Sequence, residues 1–125
     1  MIDVEVVNRS GVEVDVPAAA ALVRKVLTAE GVDDGEVGLT LVTADEIRVL
    51  KCEHLGVDEL TDALAFPIDG RDELPRGMPR QLGDVVLCPQ VVGEQWRPPL
   101  VHALLHLVGY DHGPEMDARG RAHAT

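Results

Sequence analysis

Residues Pro98 to His112 read PPLVHALLHLVGYDH, and the rest of the chain has to be arranged around them. Pro98 and Pro99 cannot lie inside a helix but suit its first turn, which predicts a helix from about Pro99 to Val108. Leu100, Val101, Leu104, Leu105, Leu107 and Val108 make that helix apolar on nearly every side, so it is expected in the core. His102 and His106 are four apart and project from one face, one turn separated. Gly109 can take the backbone conformation that ends a helix sharply. The chain then turns back and brings His112 toward the same face.

That spacing lets imidazoles share one ion at zinc–nitrogen distances near 2 Å. Burying histidines in an apolar helix is unfavourable unless each has a partner, and a shared metal satisfies them together. His102, His106 and His112 are therefore the expected ligands of one zinc ion. Three imidazoles without thiolates describe a catalytic site better than a structural one, because a catalytic zinc keeps its fourth position for water. Water in that position has its pKa lowered to about 7. Imidazoles also bind nickel, copper and iron, so the spacing alone leaves the metal's identity open.

Outward from this segment, Ile2 to Asn8 (IDVEVVN) alternates and is rich in Val and Ile, the pattern of a strand. Ser10-Gly11 is a turn. From Pro17 to Glu30 alanines, Leu22, Val23, Val26 and Leu27 recur at helical spacing, with Gly31 just beyond the end. Val37 to Thr43 reads as a second strand, and Ala44-Asp45-Glu46 opens a short helix running toward His54. Thr61 to Ile68 (TDALAFPI) predicts a third strand. Asp69 to Arg80 has no periodicity and reads as a loop. Leu82 to Cys88 predicts a fourth strand, stopped by Pro89. The polar tail from Gly113 to Thr125 is expected to be a partial or frayed helix. Four strands with three to four helices, lacking strict alternation, predict a single α+β domain over 1–125, with a small mixed four-stranded sheet.

Composition narrows the class. The 125 residues suit one modest core, and no apolar run approaches the roughly 18 residues of a membrane span. The first residues have no secretory pattern, so a cytoplasmic protein is expected. The net charge is −11, against the basic balance usual for nucleic-acid binders. It is uneven, with 13 acidic and 5 basic residues in 1–60 against 9 and 6 in 61–125. A small positive surface is permitted in the second half.

Other candidates read as bland. Cys52 and Cys88 belong to no CxxC pair and are expected as buried free thiols. His54 reads as a solvated surface residue, His123 as a mobile one near the end, and Trp96 as a packing residue. Ser10 has no histidine at an informative spacing, which leaves a serine hydrolase unsupported.

The H-x3-H-x2-G-x2-H spacing also occurs in metzincin proteases, which need a glutamate after the first histidine as general base. Here that residue is Ala103, which argues against a zinc peptidase. The segment more closely resembles the HGxLHLxGYDH signature of YbeY-type rRNA maturation endoribonucleases. It matches at His102, Leu105, His106, Leu107, Gly109, Tyr110, Asp111 and His112. TDALAFP at Thr61 to Pro67 resembles that family's TDVLSFP, and LGDVVLCPQ at Leu82 to Gln90 resembles its LGDIVI segment. The resemblance implies an α+β metalloprotein that cleaves single-stranded RNA and acts in 16S rRNA 3′-end maturation and ribosome quality control. Single-stranded RNA, rRNA and the small ribosomal subunit would be its partners, with no membrane and no DNA. Asp111 would either orient a ligand imidazole and help proton transfer, or cap the turn. Thr61, Asp62 and Asp84 are expected to serve turns and strand edges. The chain departs from the pattern at Leu55, where many members carry an arginine, in a shorter connection before the histidine helix, and in a reduced helix after it. These departures motivate the alternative of a non-catalytic, ribosome-associated metal-binding protein.

Overall fold

A computed structural model describes residues 1–69 and 72–123 of the chain. The described elements are β1 (Ile2–Asn8), α1 (Val16–Ala29), β2 (Gly35–Leu41), α2 (Ala44–Leu55), β3 (Ala63–Pro67), β4 (Gln81–Leu87), α3 (Pro89–Val92), α4 (Arg97–Leu107) and α5 (Pro114–His123). They form the expected α+β arrangement around one sheet of strand order β1-β2-β4-β3. β1 pairs with β2 and β2 with β4 in parallel, and β3 runs antiparallel on β4. The sheet is mixed, as the sequence predicts.

Local chemistry sets the helix ends. Asp15 caps α1 by accepting from the Ala18 N–H at 3.1 Å, and Thr43 caps α2 by accepting from the Glu46 N–H at 3.2 Å. Gly56 ends α2 in the left-handed conformation, where a Cβ would be strained. α4 begins at Arg97, two residues before the expected start. The first-turn N–H groups of a helix have no partner within it, so both prolines fit there without losing a bond.

Two layers of side chains hold the sheet. On one face Val37, Leu39, Leu41, Leu82, Val85 and Leu87 pack with Ala19, Val23, Val26 and Leu27 of α1 and nearly all of α4. Leu100, Leu104, Leu105 and Leu107 are fully buried, each contributing about 1.5–3 kcal/mol on transfer from water. On the other face Val42, Ile47, Leu64, Val86 and Cys88 form a smaller cluster under α2. α4 is thus held between the sheet, α1 and α5, which fixes the base of the histidine site.

Three expectations need correction. The chain has five described helices rather than three or four. α3 is a single turn started by Pro89, too short to show a period, and the tail forms a helix of ten residues, α5. Met116 is buried from α5 against the core, while Glu115 and Asp117 at its start and Arg121 and His123 at its end suit the helix dipole. Cys52 is exposed and only Cys88 is buried, because Cys52 lies on the outer side of α2. His123, expected to be mobile, is buried with 9% exposure against Glu30. Trp96 is buried as expected, with the Arg97 guanidinium 4.3 Å from its ring centre.

Candidate metal centre

α4 presents His102 and His106 on one side, and the turn after it returns His112 to them. The helix is closed by the Gly109 N–H donating to the His106 carbonyl at 3.0 Å and the Tyr110 N–H to that of Leu105 at 3.0 Å. Gly109 has φ of 102°, which a side chain rarely adopts. The ring centres lie 4.8 Å (His102–His106), 5.1 Å (His102–His112) and 4.5 Å (His106–His112) apart. A ligand nitrogen from each lies within 4.8 Å of the other two.

Contrary to expectation, the three imidazoles are not buried with their helix. The backbone of α4 is enclosed, but His102 and His112 are exposed and His106 is half-buried. The histidines face outward from a buried helix. An ion held there would keep an open side toward solvent, the geometry a catalytic metal requires.

Protonation can be read from the bonds. His106 Nδ1 lies 3.0 Å from the Tyr110 carbonyl oxygen. A carbonyl has no hydrogen to give, so Nδ1 carries the proton and Nε2 presents its lone pair. That Nε2 lies 3.2 Å from Nε2 of His102. Two nitrogens bound tetrahedrally at zinc distances would be about 3.3 Å apart, so this pair already has the spacing of two ligands. Burial, followed by electrostatic repulsion from the neighbouring His106 and His112 rings, disfavours the imidazolium of His102, while Asp62 and Asp117 oppose that shift. A neutral His102 is the form that can bind a cation. The donor set and its spacing fit a divalent metal.

The sequence points to only some of the groups around the histidines. Asp62 accepts from the Ala63 N–H at 2.7 Å, a strand-end role as expected, yet its carboxylate also acts on His102. Asp84 lies over Gly38 of β2, where a Cβ would strike its carboxylate, and it takes no part among the histidines. Asp111 is exposed in the turn, with no hydrogen bond or ion pair to it among the described residues. The neighbouring main-chain carbonyl orients His106 instead. His54 is exposed, its ring 4.8 Å from Phe66 and outside the cluster. Glu30, Asp117 and the carbonyl of Tyr110 carried no recognisable spacing in the sequence.

A cleft of about 390 Å³ opens beside His102, between α1, α4 and α5. Arg97 and Arg121 line it with Asp117, over apolar Leu22, Val101 and Met116. Among the described residues neither arginine has an ion pair. A wider cleft of about 1000 Å³ at the starts of β1 and β2 is lined by Asp3, Glu30, Asp33, Asp34 and Glu36 with Arg80, and contains no histidine.

The family model for Endoribonuclease YbeY matches residues 5–122. The chain belongs to the YbeY family. An Endoribonuclease YbeY of Salinispora tropica is 35% identical, the match covering 93% of this chain and 87% of the relative. That of Acidothermus cellulolyticus is 37% identical over 90% of this chain and 80% of its own. The solution structure of TM1509 from Thermotoga maritima superposes with a TM-score of 0.57 at 25% identity, covering 98% of this chain and 86% of that one. The matched region reaches from β1 to α5, so it includes both the sheet and the histidine turn.

Proposed function

We propose that this YbeY-family chain is a metal-dependent endoribonuclease, with zinc held by His102, His106 and His112. The single observation that supports it best is the pairing of family membership with three convergent, outward-facing imidazoles. Zinc held there would supply a Lewis acid for the phosphodiester and a water of lowered pKa. The chain's own residues supply the remaining parts. The Tyr110 carbonyl holds the His106 tautomer in which Nε2 is free to bind metal. On this reading Asp111, exposed beside the last histidine, would exchange protons with the reacting water or ribose hydroxyl. Leu55 offers no charge to a phosphate, and Arg97 and Arg121 beside His102 take over that contact.

On this reading the substrate is single-stranded RNA, and the natural one is the 3′ end of 16S rRNA on the small ribosomal subunit, in the cytoplasm. No described helix is long and apolar enough to cross a membrane. Ala103 still counts against a peptidase, since it leaves the position of the general base without a carboxylate.

The test is cleavage of a labelled single-stranded RNA by purified protein. The parent protein is expected to cut the RNA, to lose activity on chelation, and to regain it with zinc. His106→Ala should lower the rate by at least about a hundredfold. The charge-reversed pair Arg97→Glu with Arg121→Glu should weaken RNA binding about tenfold or more while leaving metal content unchanged. Cleavage that persists in His106→Ala, or after the zinc is removed, would overturn the proposal.

A further inference from the structure

Among the described residues Glu30 is the one carboxylate buried in the fold, with 7% of its surface exposed, and it lies outside the histidine cluster. It ends α1 as the C-cap. Its Oε1 accepts from the Tyr110 hydroxyl at 2.7 Å. Its Oε2 accepts from Arg119 Nε at 2.8 Å and also from Nη2 of that residue, and lies 2.7 Å from Nε2 of His123. Three donors from two later segments therefore meet on one carboxylate at the end of α1. A buried ionised carboxylate is tolerated only with such a set of donors.

Tyr110 connects this cluster to the histidines. Its hydroxyl is held by Glu30, and its own carbonyl, in the same residue, accepts from Nδ1 of His106. A tyrosine fixed at both its hydroxyl and its main chain cannot rotate the turn without breaking one bond or the other. Arg119 and His123 fasten α5 to the same carboxylate, and α5 carries Asp117 beside His102.

We propose that Glu30 is a positioning residue for the histidine site, acting through Tyr110 to set the orientation of His106 and through α5 to set the environment of His102. It touches neither metal nor substrate. The inference deepens the reading above and rests on the metal site in it. Groups that orient a ligand histidine typically change metal affinity by roughly 10–100-fold when removed.

The test measures zinc affinity by competition with a chromogenic chelator, using the whole chain and the zinc ion alone as probe. The proteins are the parent, Glu30→Gln, Tyr110→Phe and the double variant, all held well below their measured melting temperatures. Each single variant should bind zinc about tenfold or more weakly, and the double variant no more weakly than the worse single one. Nitrogen-15 spectra of the zinc-loaded parent should show His106 protonated at Nδ1, with that signal broadened in Tyr110→Phe. Affinity unchanged in both single variants, or losses that multiply in the double variant, would overturn the route through Tyr110. If Glu30→Gln does not fold, Tyr110→Phe decides alone, and affinity within about twofold of the parent overturns the inference. A parent that binds no zinc overturns the metal reading itself, and the inference with it.

Discussion

His106 uses its two ring nitrogens for separate tasks, one toward the Tyr110 carbonyl and one toward His102. The same division of labour extends to Glu30, whose two oxygens hold Tyr110 on one side and α5 on the other. Burial would push the Glu30 carboxyl up, but hydrogen bonds from Arg119, Tyr110 and His123 outweigh it and hold the group at about 2, below its ordinary 4.5. A depressed carboxyl favours the folded state above the unfolded pKa and loses that contribution as pH falls through the folded one. The contribution should therefore be complete above about pH 4.5 and vanish toward pH 2. Discounted for the exposed guanidinium of Arg119, it is worth roughly 2 kcal/mol. Urea unfolding of the parent and Glu30→Gln at several pH values checks this. The stability gap between them should be constant from pH 7 to about 4.5 and shrink below. A gap that does not change down to pH 2.5 would contradict the assignment.

At the scale of elements, the outcome depends on how α4 meets β4. Gly83 has φ of 137°, and a Cβ there would strike the Phe66 carbonyl and sit 2.8 Å from Leu107 Cδ1. It stands where the register between β2 and β4 shifts. The glycine of the LGD segment is therefore a packing requirement that lets the histidine helix lie close on the sheet. Gly83→Ala should destabilise the fold by about 2–4 kcal/mol through overpacking and backbone strain, read as a lowered urea midpoint. A midpoint within experimental scatter of the parent would show that the close approach is not required. α4 and its histidines were legible in the sequence because their signals are local: prolines at one end, Gly109 at the other, and a four-residue repeat between. α5 was not. Its ten residues are mostly polar, and an isolated helix of that length is marginal in water. What stabilises it is Met116 in the core and a carboxylate 89 positions before Arg119, a distance over which no periodicity carries information. The same reason hid Glu30 and gave His123 the wrong surroundings. The exposure of His102 is hidden for a different reason, since an apolar helix says that its axis is enclosed and not where its few polar side chains point.

For the molecule as a whole, charge and site have to be reconciled. A net charge of −11 repels RNA at long range. Much of the acid lies away from the histidines, including the cleft formed by Asp3, Asp33, Asp34 and Glu36. Arg97 and Arg121 stand beside His102, and a divalent ion among three neutral imidazoles would add two positive charges there. Such an ion would contribute to the electrostatics of substrate capture as well as to the chemistry. The most direct measurement is the metal content of the purified, tag-free chain by elemental analysis, beside His106→Ala prepared in the same way. Close to one zinc per parent chain is expected, and almost none in a variant that remains folded. No metal in either protein after zinc is supplied, or equal zinc in both, would contradict the metal site.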